Sequence, residues 1–370
     1  MVIEELTLEE KIGQLFIIEL DEKEITDRTV EMIQKYKIGG FILYAKNYQS
    51  YEEMLKIINR LKEINQVNKI PLWIAIDQEG GRVNRMPKEV KALKNAFDIA
   101  KTKDMDLVKK SGEVIGKMLK ETGVNINFAP VLDIKRFKDI HAIGNRCYGE
   151  NAKDVETYGI EVMKQMQNQG IVSVIKHFPG HGRTKKDSHF FLPTIRTKQK
   201  KLEETDMHPF QVAIQEGADA IMVGHIKVKS LDATYPASLS NKIIGQKLRE
   251  EWNYQGLVVT DDIKMLGIRI RYLMIEAVRH AVLAGVNVLI AGLPYEKIIK
   301  LMKKVDNRVS RLKIPIGYLN RSVAVTLEMK KKYGLTDEPS KGMNVEKVNQ
   351  KIEEINQKVC EYQQKEKGEI

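Results

Sequence analysis

The chain has 370 residues, 42% hydrophobic and 30% charged, a composition that suits one large soluble α/β unit or two smaller ones. No apolar run approaches the roughly 20 residues that span a bilayer, and Cys147 and Cys360 alone are too few for a disulfide framework. The net charge of +11 would suit an anionic partner, yet the lysines scatter through helical segments and form no basic stripe interleaved with aromatics, so neither nucleic acid nor membrane is expected as a partner.

The N-terminal residues lack the basic start and apolar core of a secretion signal, and with two cysteines the expected location is the cytoplasm, although a processed mature form would read the same way. Thr7 is expected to cap the first helix, with Glu10 completing a capping box. Eight short apolar, β-rich runs follow in order, at 15–20, 38–44, 72–77, 126–133, 172–178, 220–225, 257–261 and 286–291. Amphipathic stretches lie between them, among them 51–66, 105–122, 154–169, 241–252 and 275–284. Eight strands alternating with helices predict a single (β/α)8 barrel of the TIM type. A doubly wound sheet usually carries a Gly-rich dinucleotide turn after its first strand, a pattern that Gly39-Gly40 does not match.

Beyond Gly334 the sequence turns polar, and residues 336–370 form a charged extension to a catalytic unit over 1–335. Val345, Val348, Ile352, Ile355, Val359 and Tyr362 recur at spacings of three and four, a narrow apolar seam on one helix. The seam can dock along the barrel wall, which fits a monomer, or pair with a second copy in a dimer.

A barrel of this kind gathers its chemistry where strands end, on the C-terminal face. Asp77 closes the third run, Asp133 the fourth, Lys176 and His177 the fifth, His225 the sixth and Asp261 the seventh. Each alone can be a satisfied buried polar group or a helix cap, but together they describe a polar pocket at the barrel mouth. The densest stretch is Lys176-His-Phe-Pro-Gly-His-Gly182, followed by Asp187-Ser-His189. Pro179, Gly180 and Gly182 mark it as a loop, and loops on a rigid scaffold carry function.

Within that loop, Asp187 beside His189 would fix the imidazole tautomer and give a proton donor and acceptor near neutrality. Metal ligation by His177 and His181, with Asp187 and His189, is a competing reading. It is disfavoured because Pro179 and Gly180 break the helix that a four-residue spacing needs. Asp261 could attack an electrophilic carbon, bind a metal or accept from a polyol, while Asp262 could cap the next helix. Arg82 and Arg85, after the turn-forming Gly80-Gly81, and Arg146 supply planar donors suited to sugar hydroxyls or to ion pairs bracing the loops.

These blocks resemble glycoside hydrolase family 3, and specifically its β-N-acetylglucosaminidase branch. The resemblance runs from about Leu6 to about Leu335 and rests on Ile76-Asp-Gln-Glu-Gly-Gly-Arg-Val83, Asn127-Phe-Ala-Pro-Val-Leu-Asp133, Ile143-Gly-Asn-Arg146, Lys176-His-Phe-Pro-Gly-His-Gly182, Asp187-Ser-His189 and Thr260-Asp-Asp262. It implies a single-barrel, cofactor-free, retaining exo-enzyme in which Asp261 is the nucleophile, His189 the general acid/base and Asp187 its orienting partner. Asp77, Arg85, Arg146, Lys176 and His177 would bind the hydroxyls of the terminal sugar. Asp133 and His225 match family positions too, as sugar contacts or as braces. The Asp-His branch is similar to enzymes that release N-acetylglucosamine from muropeptides in cell-wall recycling, so the implied partner is a carbohydrate such as a cell-wall fragment. The loop bearing His189 would swing in when substrate binds.

Two departures bear on that resemblance. Arg183, with Lys185 and Lys186 nearby, stands where the family often has an acidic residue, and extra positive charge would disfavour protonated His189. Asn287 stands where relatives often carry aspartate, and Arg269, Arg271 and Arg279 make the segment after Asp262 unusually basic. The alternatives are a family 3 phosphorylase or β-glucosidase, since an imidazole acid/base does not repel phosphate, and a non-catalytic muropeptide-binding protein using the same pocket.

Overall fold

In the computed structural model, which describes residues 3–21, 23–137, 143–184 and 192–368, the eight apolar runs form one parallel sheet. Its strands are β1 (Phe16–Glu19), β2 (Gly40–Leu43), β3 (Trp73–Ile76), β4 (Ile126–Asn127), β5 (Val172–Phe178), β6 (Ala220–Val223), β7 (Leu257–Thr260) and β8 (Leu289–Ala291). They pair in chain order, β8 also pairs with β1, and a parallel bridge between Val259 and Val288 brings β7 to β8. The expected (β/α)8 barrel is the observed architecture.

Only β5 fills its whole run, and the shortening of β4 and β8 has a visible cause. β4 stops at Asn127, where the Asn127 side chain takes over the pairing by accepting from Gln78 N–H at 2.9 Å, and Pro130 has no N–H to offer a ladder. Before β8, Asn287 does likewise, its Oδ1 accepting from Val258 N–H at 2.7 Å. A pairing that the sequence did not suggest joins Thr194–Ile195 to Lys227–Val228 outside the barrel.

Alternation along the strands sorts the core into two layers. Ile17, Ile42, Trp73, Ala75, Val172, Val174, Ala220, Met222, Leu257, Val259 and Ile290 fill the barrel interior. Their neighbours, such as Phe16, Ile18, Phe41, Ile74, Ile175, Val258 and Leu289, pack outward against the helices. Continuing the inward series by two residues carries Ile17 to Glu19, Ala75 to Asp77, Val174 to Lys176 and Val259 to Asp261. The sequence therefore loads the C-terminal mouth with charge by period alone.

The first helix, Leu8–Gln14, starts with the expected box: Glu10 N–H donates to Thr7 Oγ1 at 3.2 Å and Thr7 N–H to Glu10 Oε2 at 2.9 Å. The C-terminal helix Val345–Lys367 lies on the barrel wall against the helix Met105–Thr122. Val348, Ile352, Ile355 and Val359 are buried there, so the middle of the apolar seam is covered within the chain, with Val345 and Tyr362 half-buried at its ends. None of the helices among the described residues is long and apolar enough to cross a membrane.

Candidate active site

A pocket of about 750 Å³ opens at the C-terminal mouth. Asp77, Arg85, Arg146, Lys176, His177 and Asp261 all line it, so six of the residues singled out in the sequence converge. Asp187 and His189 lie outside the described residues. β3 and β7 stand four strands apart in an eight-stranded barrel, which sets Asp77 and Asp261 on opposite sides of the mouth.

The Asp77 side is organised around a carboxylate that the sequence reading passed over. Glu79 is buried, and its Oε1 and Oε2 accept from Arg146 Nη2 at 2.7 Å and Nε at 2.8 Å in a bidentate pair. Lys176 Nζ sits 2.6 Å from Glu79 Oε1 and donates at 2.6 Å to Asp77 Oδ1. Burial alone would push the Glu79 carboxyl up, but the Arg146 guanidinium and the Lys176 ammonium hold it well below the usual carboxylate range. The signal was present: Asp77 and Glu79 are two apart just past an inward-facing strand end.

His177 and Asp133 form the next unit. Asp133 is buried, and although burial works against its charge, His177 and His181 hold its carboxyl below the ordinary range. Asp133 is thus an acceptor, so His177 Nδ1 donates to Oδ2 at 2.7 Å, leaving Nε2 as the other ring nitrogen available for bonding. The backbone N–H of His181 donates to Asp133 Oδ1 at 2.6 Å. Asp133 does not line the pocket, and its bonds hold His177 and the His181 backbone from behind. Nor does His225 line it: fully buried, it bonds Ser238 Oγ at 2.6 Å through Nδ1 and donates from Nε2 to the carbonyl of Asp262 at 3.1 Å.

On the opposite side, Asp261 Oδ1 accepts from Asp262 N–H at 2.9 Å. Asp262 does not cap the following helix, Leu266–Arg269, whose N-cap is Met265. Instead its Oδ1 accepts from Lys264 N–H at 2.9 Å and Gly292 N–H at 3.0 Å, tying the β7 and β8 loops together. Burial pushes the Asp262 carboxyl up, with those two N–H groups opposing. Glu19, at the end of β1, joins this side through ion pairs with Lys46 and, at 2.7 Å, with Lys264. Neither lysine was singled out in the sequence, where each reads as one more surface cation.

Arg85 lies with its Cζ 5.8 Å from the centroid of the Tyr44 ring, and its buried Nε has no hydrogen-bond partner among the described residues. The turn that leads to it requires glycine at Gly80 and Gly81, both at positive φ; a Cβ on Gly81 would stand 2.6 Å from Asn95 Cβ.

The two departures find structural partners. Arg183 donates from Nε to Asp206 Oδ2 at 2.6 Å, and buried Asp206 also holds Arg136 at 3.2 Å, so one carboxylate is shared by two guanidinium groups. Lys185 and Lys186 lie outside the described residues. Asn287 braces β7 and also accepts from Arg249 Nη2 at 2.8 Å, while Arg279 pairs with Glu276 at 2.8 Å; none of these lines the pocket.

Comparison with known proteins places this architecture. The description Glycosyl hydrolase family 3 N terminal domain fits residues 7–328. Beta-hexosaminidase A of Pseudoalteromonas piscicida is 36% identical over 276 residues, which cover 70% of this chain but only 46% of that protein. Beta-hexosaminidase of Haemophilus influenzae is 31% identical over 296 residues, covering 79% of this chain and 82% of the relative. Among solved structures, a glycoside hydrolase family 3 beta-N-acetylglucosaminidase from Paenibacillus sp. superposes with a TM-score of 0.89 at 31% identity, covering 95% of this chain and 68% of that one.

Proposed function

The chain belongs to glycosyl hydrolase family 3, and with it to the glycoside hydrolases, and we propose that it is a retaining exo-β-N-acetylglucosaminidase. Its substrate class is a terminal N-acetylglucosaminide, with a muropeptide or related cell-wall fragment as the aglycone. The observation that carries this reading is the opposition, across one pocket, of Asp261 and the Asp77–Lys176–Glu79–Arg146 network.

Asp261 attacks the anomeric carbon and forms a glycosyl-enzyme bond as the glycosidic C–O bond breaks. His189, protonated, delivers its proton to the departing oxygen and, once neutral, takes one from the incoming water. Two displacements at the same carbon retain configuration. Asp187 orients the imidazole; both residues enter this scheme from the sequence. Asp77, Arg85, Arg146, Lys176 and His177 bind the sugar. In support, the Arg85 guanidinium lines the pocket, and the Asp77 carboxylate is fixed by Lys176 before any ligand arrives. Residues 1–335 form the catalytic unit and 336–370 its extension. A cytoplasmic setting is supported by two free thiols, one of them, Cys147, buried.

The test is initial-rate hydrolysis of an aryl β-N-acetylglucosaminide against an aryl β-glucoside, with and without phosphate, by wild type and Asp261→Ala. Turnover of the N-acetyl substrate alone, independent of phosphate and reduced about 10⁴-fold or more in the variant, is the expected result. A rate that needs phosphate and yields sugar-1-phosphate would instead make it a phosphorylase. Tight binding without turnover would make it a binding protein.

A further inference from the structure

Between the pocket and the C-terminal helix runs a segment without regular structure, residues 87–95, whose backbone polar groups find unusual partners. Lys91 N–H donates to Asn349 Oδ1 at 2.8 Å, and Asn349 Nδ2 donates back to the carbonyl of Glu89 at 2.7 Å. One heptad later on the same helix face the pattern repeats: Lys94 N–H donates to Asn356 Oδ1 at 2.8 Å, and Asn356 Nδ2 to the carbonyl of Ala92 at 2.9 Å. Each side-chain amide offers one acceptor and donors in fixed geometry, so each bonds both a backbone N–H and a backbone carbonyl of the segment. Val90 and Leu93 are buried, and Lys91 also pairs with Glu353 of the helix.

The held segment backs the pocket turn directly. The carbonyl of Leu93 accepts from Gly81 N–H at 2.8 Å, and the space where Gly81 would carry a Cβ is filled by Asn95. Gly80 is packed likewise, its absent Cβ falling 3.2 Å from the carbonyl of Lys94. The turn itself closes through Glu79 N–H to the Val83 carbonyl at 3.0 Å and Val83 N–H to the Gly80 carbonyl at 3.2 Å. Glu79 precedes this turn, and Arg82 and Arg85 follow it into the pocket. A continuous run of hydrogen bonds and close contacts thus joins the C-terminal helix to the sugar side of the site.

We propose that Asn349 and Asn356 are positioning residues, which hold the Gly80–Gly81 turn, and through it Glu79 and Arg85, from the far side of the residue 87–95 segment. This rests on the sugar-binding reading of the pocket. It gives the C-terminal helix a role beyond covering apolar surface, because the amides could be lost while Val348, Ile352, Ile355 and Val359 stay packed.

The experiment is the double variant Asn349→Ala/Asn356→Ala in the full chain, read by steady-state kinetics and by hydrogen exchange of the unliganded protein. Expected is a KM raised about tenfold, well inside the 10²-fold that a 1 Å misplacement can cost. Faster amide exchange at residues 79–85 as well as at 89–94 should accompany it. A merely structural role would lower the active fraction, reducing kcat and leaving KM alone, with faster exchange confined to 89–94; either an unmoved KM or unmoved exchange at 79–85 overturns the proposal. Glu353→Ala, which removes only the surface ion pair, should change neither readout. Should the double variant not fold, Asn356→Ala alone, beside the turn, is read the same way. If wild type hydrolyses neither aryl sugar, the proposed reaction fails on its own account, and exchange at 79–85 still decides the brace.

Discussion

Two lysines are buried at opposite ends of the same barrel, and their surroundings differ in kind. Lys176, 2% exposed at the C-terminal mouth, faces the carboxylates of Asp77 and Glu79 at 2.6 Å each. Lys330, 3% exposed, reaches under the N-terminal mouth from the helix Ile316–Lys332. It donates to Gln14 Oε1 at 2.8 Å, the Gly39 carbonyl at 3.2 Å and the Pro71 carbonyl at 2.6 Å, with its Nζ 5.0 Å from the centroid of the Trp73 ring. Burial pushes the Lys330 ammonium down to about 7, with Asp337 opposing. Equal burial therefore serves two purposes. At the top, charge meets charge beside the pocket; at the bottom, neutral dipoles meet the ammonium under the barrel. Burial of an ionisable group does not mark a functional site, and the sign of what surrounds it is more informative.

The largest effect should follow from breaking the upper network at its buried anion. Glu79→Gln leaves Arg146 without its bidentate partner and Lys176 with Asp77 alone, at a cost of about 3–5 kcal/mol in denaturant unfolding at neutral pH. Because the folded Glu79 carboxyl lies below its ordinary value of 4.5, its contribution is complete above that pH and drains away as acid approaches the folded value. The gap between wild type and variant should accordingly narrow toward pH 3. An equal gap at pH 7 and pH 3 would mean that shape, not charge, is what Glu79 supplies.

Next in size is Lys176→Met, which keeps volume and removes the donor from Asp77 and the proposed sugar site. A loss of about 10²–10³-fold in kcat/KM, or ~3–4 kcal/mol, is expected on the aryl N-acetylglucosaminide. Circular dichroism should confirm that the variant is folded. If activity survived while stability fell, the upper lysine would be structural like the lower one, and the contrast between the two ends would collapse.

How much of this was legible follows from period. The eight strands were readable because each is a short apolar, β-rich run, and the alternation that buries Ala75, Val174 and Val259 also aims Asp77, Lys176 and Asp261 into the mouth. Strand ends alone could not separate pocket residues from braces. Asp133 and His225 close their runs like the others, yet are turned behind the pocket by bonds to His181 N–H and the Asp262 carbonyl. Those partners are remote in sequence. Glu79 was hidden by its neighbours in a turn-forming stretch, and Asn349 and Asn356 by a charged helix on which asparagine looks solvated. Lys330 sits in a run of three lysines, but it follows buried Thr326 by four residues and Ser322 by eight, so helical period alone could have turned it inward.

The smallest effect belongs to the lower lysine and is the sharpest check on the contrast. Lys330→Met should leave kcat and KM unchanged, since nothing in the pocket touches it. Its signature is the pH dependence of stability. With the folded value near 7 and the ordinary value at 10.5, the unfolded chain binds more protons between those limits, so this group makes stability rise with pH across the window. Wild type should gain on the order of 2 kcal/mol relative to Lys330→Met between pH 7 and pH 9, read from urea midpoints at the two pH values. The neutral-pH difference is less telling, because methionine removes a buried charge but leaves three acceptors at Gln14, Gly39 and Pro71 without their donor. Identical slopes would show that the carbonyls hold the ammonium fully charged, and that the two ends of the barrel solve the same problem with different oxygens.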